Sequence, residues 1–505
     1  MYGKIKKLKN LQKMKNYLAF DLGATSGRCI LGTLDNGKVT TEELSRFRHE
    51  RIISGEHQFW DFSFIFGEIK RGLAIASEKG IHISSVGIDT WGVDFVCLDK
   101  NGNVTGNPHS YRDPMTEPAM KEYLEKHRSP LDLYMSTGIQ LMNFNTIFQL
   151  YAMKQSADPV IESADSILFL PDALTYMLTG VKVWEHTIAS TSQLLNPSNQ
   201  SIDPDLADEI GVGKSLFGRI SEPGTVAGYI KKEILEEAGI DYEIPVISVA
   251  GHDTASAIAA IPALADDFAY ISSGTWSLVG IETDYPVISE KTFGMSLTNE
   301  TGYAKKNELL SNITGMWVLE ECMKQWNERE AKAYKYEDIV CMANEIPSFL
   351  SLIDPDHEMF RRPDNMPEAI KSYCRKTGQH VPANDREMVE CIFASLALKY
   401  KYTVDSLQEI TGKQISTLHI IGGGSKNDLM SRYSCDATGL DVVTGSAEGA
   451  SFGNILVQAA ADNEIKSLPD IRKTMYNSIA TKSFKPRNTE IWERAYKDFR
   501  KLASL

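Results

Sequence analysis

Short runs of contiguous apolar residues, bounded by glycine or polar turn residues, alternate along the chain with longer segments whose apolar positions recur every three or four residues. The first kind reads as buried strand and the second as amphipathic helix. In the first third, strands are expected at Tyr17–Asp21, Cys29–Leu34, Val86–Asp89 and Val93–Leu98. Asp35-Asn36-Gly37 offers the positive φ that a tight hairpin needs. Phe64–Ala76 has helical spacing, and Asp172–Leu178 reads as a helix closed by Gly180. Ile244–Val249 is a β-branched run expected as a buried strand, with a helix beginning at Ala255–Ile261. The second half repeats the theme. Strands at Phe268–Ile271 and Trp276–Ile281 flank Ser272-Ser273-Gly274-Thr275, and the strand Leu418–Ile421 runs into Gly422-Gly423-Gly424-Ser425. Cys391–Leu407 is an amphipathic helix, and residues 354–386, rich in Asp, Pro and Arg, are expected to form an irregular surface excursion.

Strand–turn–strand units half a chain apart predict two related α/β halves, one turn from each facing a shared cleft, with the main boundary near residue 262. A chain of 505 residues, 42% hydrophobic and 24% charged, has room for two large domains with real cores. The net charge of −14 argues against nucleic acid or an anionic membrane as the main partner. No apolar run approaches the ~20 residues that span a bilayer. Lys4, Lys6, Lys7, Lys9, Lys13 and Lys15 make residues 1–15 a basic extension, expected to be solvated and disordered. No apolar segment of a secretory signal follows it, so a cytoplasmic location is expected, as a monomer or homodimer. The seven cysteines show no C-x-x-C spacing and hence no zinc pattern. Cys374 and Cys391 are close enough in sequence to pair, with free thiols as the default.

Candidate chemistry concentrates in a few short segments. In Asp21-Leu22-Gly23-Ala24-Thr25-Ser26-Gly27-Arg28, two glycines and two hydroxyls join two strands. Their backbone N–H groups, with Thr25, Ser26 and Arg28, suit phosphate oxygens. Asp21 could hold Mg²⁺ through water, since Mg²⁺ takes few carboxylates and keeps waters; a plain hairpin turn is the competing reading. In Gly251-His252-Asp253-Thr254-Ala255-Ser256, Asp253 follows an apolar strand, where α/β proteins place ligand sites. It is either a general base for a sugar hydroxyl or a helix cap. His252 lacks companion metal ligands in the sequence and is expected to hydrogen-bond locally. In Gly87-Ile88-Asp89-Thr90-Trp91-Gly92-Val93-Asp94, Trp91 offers an apolar face to a sugar or else packs in the core of a hairpin. The glycine run 422–424 would let a flat base or ribose approach, or is a flexible turn. Asn312 and Glu320 lie before or within an expected helix. Gly211-Val212-Gly213-Lys214-Ser215 imitates the end of a phosphate-binding loop, but Asp208 stands where the earlier glycine is required and no strand precedes it. It is expected to be a helix-ending turn.

Together these segments resemble the FGGY carbohydrate kinases, of the duplicated actin, hexokinase and Hsp70 type. The resemblance runs from about residue 16 past residue 485 and is carried by Asp21–Arg28, Ser85–Phe95, Asn143–Thr146, Leu170–Asp172, Gly251–Ser256, Ser272–Ser277 and Ile421–Gly424. It implies an α/β fold of two actin-like, ribonuclease H-like ATPase domains, residues 16–262 and 263–505, with the catalytic cleft between them. It further implies ATP with Mg²⁺ as cofactor and a ketose phosphorylated at O1, L-rhamnulose first, with L-fuculose, L-xylulose or D-xylulose as alternatives. Asp253 is then the base. Ala24, Thr25, Ser26, Gly27, Arg28, Thr275, Glu320 and Gly423 take the nucleotide. Trp91, Gly92, His252, Asp253, Thr254 and Asn312 take the sugar. Glu320 stands where the family often has Gln, and a carboxylate cannot donate as an amide does. A nucleotide-gated binding protein with no small substrate is the alternative of a different class.

Overall fold

The computed structural model describes residues 14–329 and 334–503. Most of the basic extension, residues 1–13, lies outside the described residues. Lys15 is inside, and it opens the first strand with its ammonium 2.9 Å from Asp462. The chain forms two compact units. The first holds the chain up to Leu264 together with Thr283–Glu308 and Gly449–Ser478; the second holds Ala265–Glu282, Leu309–Glu448 and the residues from Ile479 on. The chain first passes to the second unit after Leu264, and two later segments return to the first unit.

The first unit is built on a six-stranded sheet in the order Thr225–Tyr229, Pro245–Ser248, Ser85–Thr90, Lys15–Leu22, Ser26–Asp35, Lys38–Arg48. The three strands in positions two to four run parallel, so their carboxyl ends open on one edge. The turn at Asn36 and Gly37 has φ of 50° and 73°, as the sequence predicts. Successive residues of a strand face opposite sides. Leu18, Phe20, Cys29 and Leu31 therefore share one apolar face with Ile65, Ile69 and Leu73 of the helix Phe62–Glu78. Gly32 and Gly87 leave the other face open, and Ile455 and Asn454 of the helix Gly449–Ala461 occupy that space. A second core, around Tyr123, Phe148, Tyr151 and Phe169, carries the helical part between residues 95 and 217. Within it the look-alike loop is a helix-ending turn: the helix Pro204–Glu209 stops before Gly211, which has φ of 72°.

In the second unit, six neighbouring strands run in the order Asn307–Thr314, Trp276–Thr283, Phe268–Ser273, Thr417–Ile421, Asp441–Thr444, Ser483–Phe484. The long helix Asp385–Thr411 starts on an Asn384 cap and ends at Gly412 in the left-handed region.

One expectation needs correction, and one of two open readings falls. Residues 354–386 are not an irregular excursion. They contain the helix Met366–Lys376, whose Met366, Ile370, Tyr373 and Cys374 are buried at helical spacing. Lys399, almost buried, ties the preceding segment down through Asp354 and Asp356, at 3.1 and 3.0 Å. The segment around Trp91 is not a hairpin: Ser85–Thr90 pairs in the main sheet, whereas the next strand begins only at Phe95 and pairs with Ser166–Phe169. Val93 between them has φ of 69°, a left-handed conformation that costs a β-branched residue ~1–3 kcal/mol. Among the described residues no helix is long and apolar enough to cross a membrane.

Candidate active site

Parallel pairing sets Asp21 directly beside Asp89, and the backbone N–H of Thr90 donates to Gly251 O at 2.8 Å. The loop carrying His252 and Asp253 is thereby stitched to the same sheet edge. Gly251 N–H also donates to Glu185, a buried carboxylate that accepts from Thr187 N, Thr187 Oγ1 and Ile188 N as well. A rigid carboxylate-anchored loop thus presents Asp253.

Asp253 does not cap its helix. Asp253–Ala259 begins at this residue, and the cap position is His252, whose side chain makes no capping bond. The carboxyl group of Asp253 has Thr254 Oγ1 at 3.3 Å and keeps about a third of its side chain (32%) open. Desolvation by the surrounding protein and the nearby charge of Asp21 push it up to about 7. His252 is buried, with Nε2 3.6 Å from Asp253 Oδ1 and Nδ1 3.4 Å from Glu300 Oε2. Burial lowers the pKa of this imidazole and raises that of Glu300. Asp89 is fully enclosed and held well above the usual carboxylate range by desolvation and by Asp21.

Two side chains that sequence reasoning missed complete this acidic cluster. Ser451 Oγ donates to Asp21 Oδ2 at 2.5 Å, and Asn454 Nδ2 donates to Asp89 Oδ2 at 2.6 Å. Arg28 pairs with Asp21 at 2.6 Å. Asp89 Oδ1 has no hydrogen-bond partner although it is buried. A cluster of this composition suits a hydrated divalent cation.

The turn at residues 22–26 is closed by Gly23 N–H donating to Ser26 O, and Thr25 is exposed at its tip with Ala24 and Ser26 half-buried. Gly27 serves packing: a side chain there would strike the ring of Phe47. Trp91 is buried. It stacks on His49 at 5.5 Å and donates from Nε1 to Asp94 Oδ2 at 2.7 Å, as Trp60 does at 2.6 Å. Trp91 therefore shapes the wall, and the adjoining Gly92, half-buried against Thr191, is the open part of it.

In the second unit, Thr275 and Glu320 meet: the Thr275 hydroxyl lies 3.3 Å from both Glu320 oxygens. Trp317 N–H and Met316 N–H donate to Thr275 O and Gly274 O, fixing this turn to the start of the helix Trp317–Arg329. Gly422, at φ of 79°, and Gly424 pass so close to Ser273 that neither position has room for a side chain, whereas Gly423 faces open space. Asn427 Nδ2 donates to the hydroxyl of Tyr336 beside this run, an aromatic that sequence reasoning missed. Asn312 lies on the strand Asn307–Thr314, so it is a strand residue ahead of the helix rather than part of it.

The two domain profiles of the FGGY family of carbohydrate kinases match residues 16–259 and 269–461. A rhamnulokinase of Bacteroides thetaiotaomicron is 44% identical over 96% of this chain and 99% of its own length. One from Oceanobacillus iheyensis is 40% identical over 92% and 96%. Among solved structures, a gluconate kinase from Lactobacillus acidophilus superposes with a TM-score of 0.81 at 16% identity, covering 97% of this chain and 98% of that one. A xylulose kinase from the same organism gives 0.80 at 17%, with the same coverage.

Proposed function

The chain belongs to the FGGY family of carbohydrate kinases, and from that premise we propose that it transfers the γ-phosphoryl group of ATP to O1 of L-rhamnulose. The observation that carries the reaction class is Asp253, a part-open carboxylate at the first position of its helix, next to His252 and within the field of Asp21. The choice of ketose is supported by the relatives described as rhamnulokinases.

Asp253 takes the O1 proton as O1 attacks the γ-phosphorus; the bond to the β,γ-bridging oxygen breaks and ADP leaves. His252 and Thr254 hold neighbouring hydroxyls, and Gly92 lets the sugar backbone lie close. Glu300 lies 3.4 Å from Nδ1 of His252 and favours its charged form. The exposed tip at Thr25, with Ala24 and Ser26, and the guanidinium of Arg28 receive phosphate oxygens. Within the second unit, Thr275 and Gly423 are the candidate nucleotide contacts, with Glu320 beside Thr275 as an acceptor only, and Asn312 is a candidate sugar contact. Asp21 would hold Mg²⁺ through water, which supplies neutralisation of phosphate charge. Buried cysteines such as Cys29, Cys97 and Cys322 carry free thiols and suit a reducing cytoplasm.

A panel of ketoses with coupled ADP detection tests the reading. L-rhamnulose is expected to exceed L-fuculose, L-xylulose and D-xylulose in kcat/KM by about tenfold or more, the scale of one pocket contact. Equal ATP turnover with and without any ketose would overturn the kinase reading, and preference for another ketose would overturn the substrate. A pH series tests the base. Because the active form is ionised, kcat/KM is expected to fall as the pH drops through about 7, approaching tenfold per unit below it.

A further inference from the structure

Away from the acidic cluster, His57, His109 and Asp113 each offer one ligand atom, and these atoms lie within 4.8 Å of one another. His57 Nδ1 is 3.2 Å from Asp113 Oδ2, and His109 Nδ1 is 3.2 Å from the same oxygen. Ligands of a tetrahedral ion at ~2.0–2.2 Å stand about 3.3–3.6 Å apart, so two of the three edges are already near that spacing. The far nitrogen of His109 lies 2.9 Å from Asp158 Oδ2. In that bond the ring nitrogen donates and the carboxylate accepts. Nδ1 of the same ring faces Asp113 in a second hydrogen bond, so an ion bound there would take the place of that bond's hydrogen. Asp113 already accepts from Gln58 N–H and Met115 N–H. The side chains of His109 and Asp113 are 2% and 0% exposed, whereas His57 is 50% exposed. Two buried ligands, a third at the surface as an entry path, and a carboxylate on the far nitrogen of a histidine together form the arrangement by which proteins orient an imidazole for a metal.

We propose that His57, His109 and Asp113 bind one divalent transition-metal ion of the zinc type, with water in the fourth position and Asp158 as the outer partner of His109. Imidazole favours Zn²⁺, Co²⁺ or Ni²⁺ over Mg²⁺, which prefers oxygen ligands. The site joins two segments that already pair through Trp60 N–H to Pro108 O and Ser110 N–H to Gln58 O. The same segments carry Trp60 and Tyr111, both bonded to Asp94 together with Trp91. An ion here clamps the wall that backs Gly92 without touching the reacting groups.

The test is to strip the protein with a chelator and titrate Co²⁺ and then Zn²⁺ in the presence of excess Mg²⁺. The readouts are stoichiometry, the visible bands of four-coordinate Co²⁺, and melting temperature. One ion per chain is expected, displaced by Zn²⁺ and not by Mg²⁺, with a melting rise of a few degrees (about 2–4 °C) at saturation. His57→Gln, at an exposed position, is expected to keep the melting temperature of the metal-free protein and to lose the Co²⁺ bands. Asp158→Asn is expected to weaken affinity by about 10–100-fold. Absence of Co²⁺ bands in the wild type, or binding unchanged in His57→Gln, overturns the proposal and leaves a hydrogen-bonded His–Asp–His cluster.

Discussion

Asp253→Asn leaves nucleotide binding within a few-fold and lowers phosphoryl transfer to the ketose by roughly 10²–10⁴, the contribution of a positioned general base. The amide is nearly isosteric but cannot accept the O1 proton. The measurement is kcat under saturating ketose beside a direct titration of ATP. Near-normal kcat would remove Asp253 from the mechanism, whereas loss of ATP binding would show damage to the fold. A stability measurement separates those cases. The carboxyl group of Asp253 is raised to about 7 from an ordinary 3.8, so the folded protein holds its proton over a pH range in which the unfolded chain has lost it. The stability tied to that proton is complete below the ordinary value and is lost as pH rises towards 7. The asparagine variant is therefore expected to melt at or above the wild type at pH 8, with the gap narrowing towards acid. A variant that is more stable and yet inactive carries the signature of a functional carboxylate held at a cost.

The position of Asp253 was legible because its neighbours are local: an apolar strand, a glycine, then small residues of a helix. The same holds for the turn at residues 22–26 and for the glycine run. Ser451 and Asn454 were not legible, since each reaches its aspartate from 430 and 365 residues away, and nothing in a linear pattern joins them. Glu300 escaped for a similar reason, lying on a strand of its own opposite His252. The sequence leaves Trp91 open between sugar face and core, and the second indole at Trp60 bonding the same Asp94 favours the core. The helix Met366–Lys376 did carry a signal, apolar residues at positions 366, 370, 373 and 374, which the surrounding Asp, Pro and Arg obscured. His109 and Asp113 stand four apart in sequence, but His57 joins them only through the pairing of two segments.

Gly453→Ala is expected to be among the most damaging single-methyl additions to the first unit. Alanine favours an isolated helix over glycine by about 1 kcal/mol, so propensity alone predicts a gain. Packing predicts the reverse. A Cβ at this position would sit 1.8 Å from the backbone oxygen of Ser256, where real contacts begin at about 3.0 Å. The atom struck is backbone within the helix Asp253–Ala259, so no rotamer change relieves it. The helix Gly449–Ala461 must withdraw, at an overpacking cost of about 1–3 kcal/mol or more that outweighs the propensity gain. Withdrawal also takes Ser451 from Asp21 and Asn454 from Asp89, leaving their carboxylates without those donors, and it disturbs the helix that begins at Asp253. A misplacement of about 1 Å at reacting groups costs on the order of 10²-fold in rate, so kcat is expected to fall far more than unfolding alone explains. Urea unfolding and kcat measured together check this, with Gly423→Ala, whose added carbon meets nothing within 4 Å, as the stability control. Wild-type stability and turnover in Gly453→Ala would mean that this helix contact does not hold the acidic cluster in place.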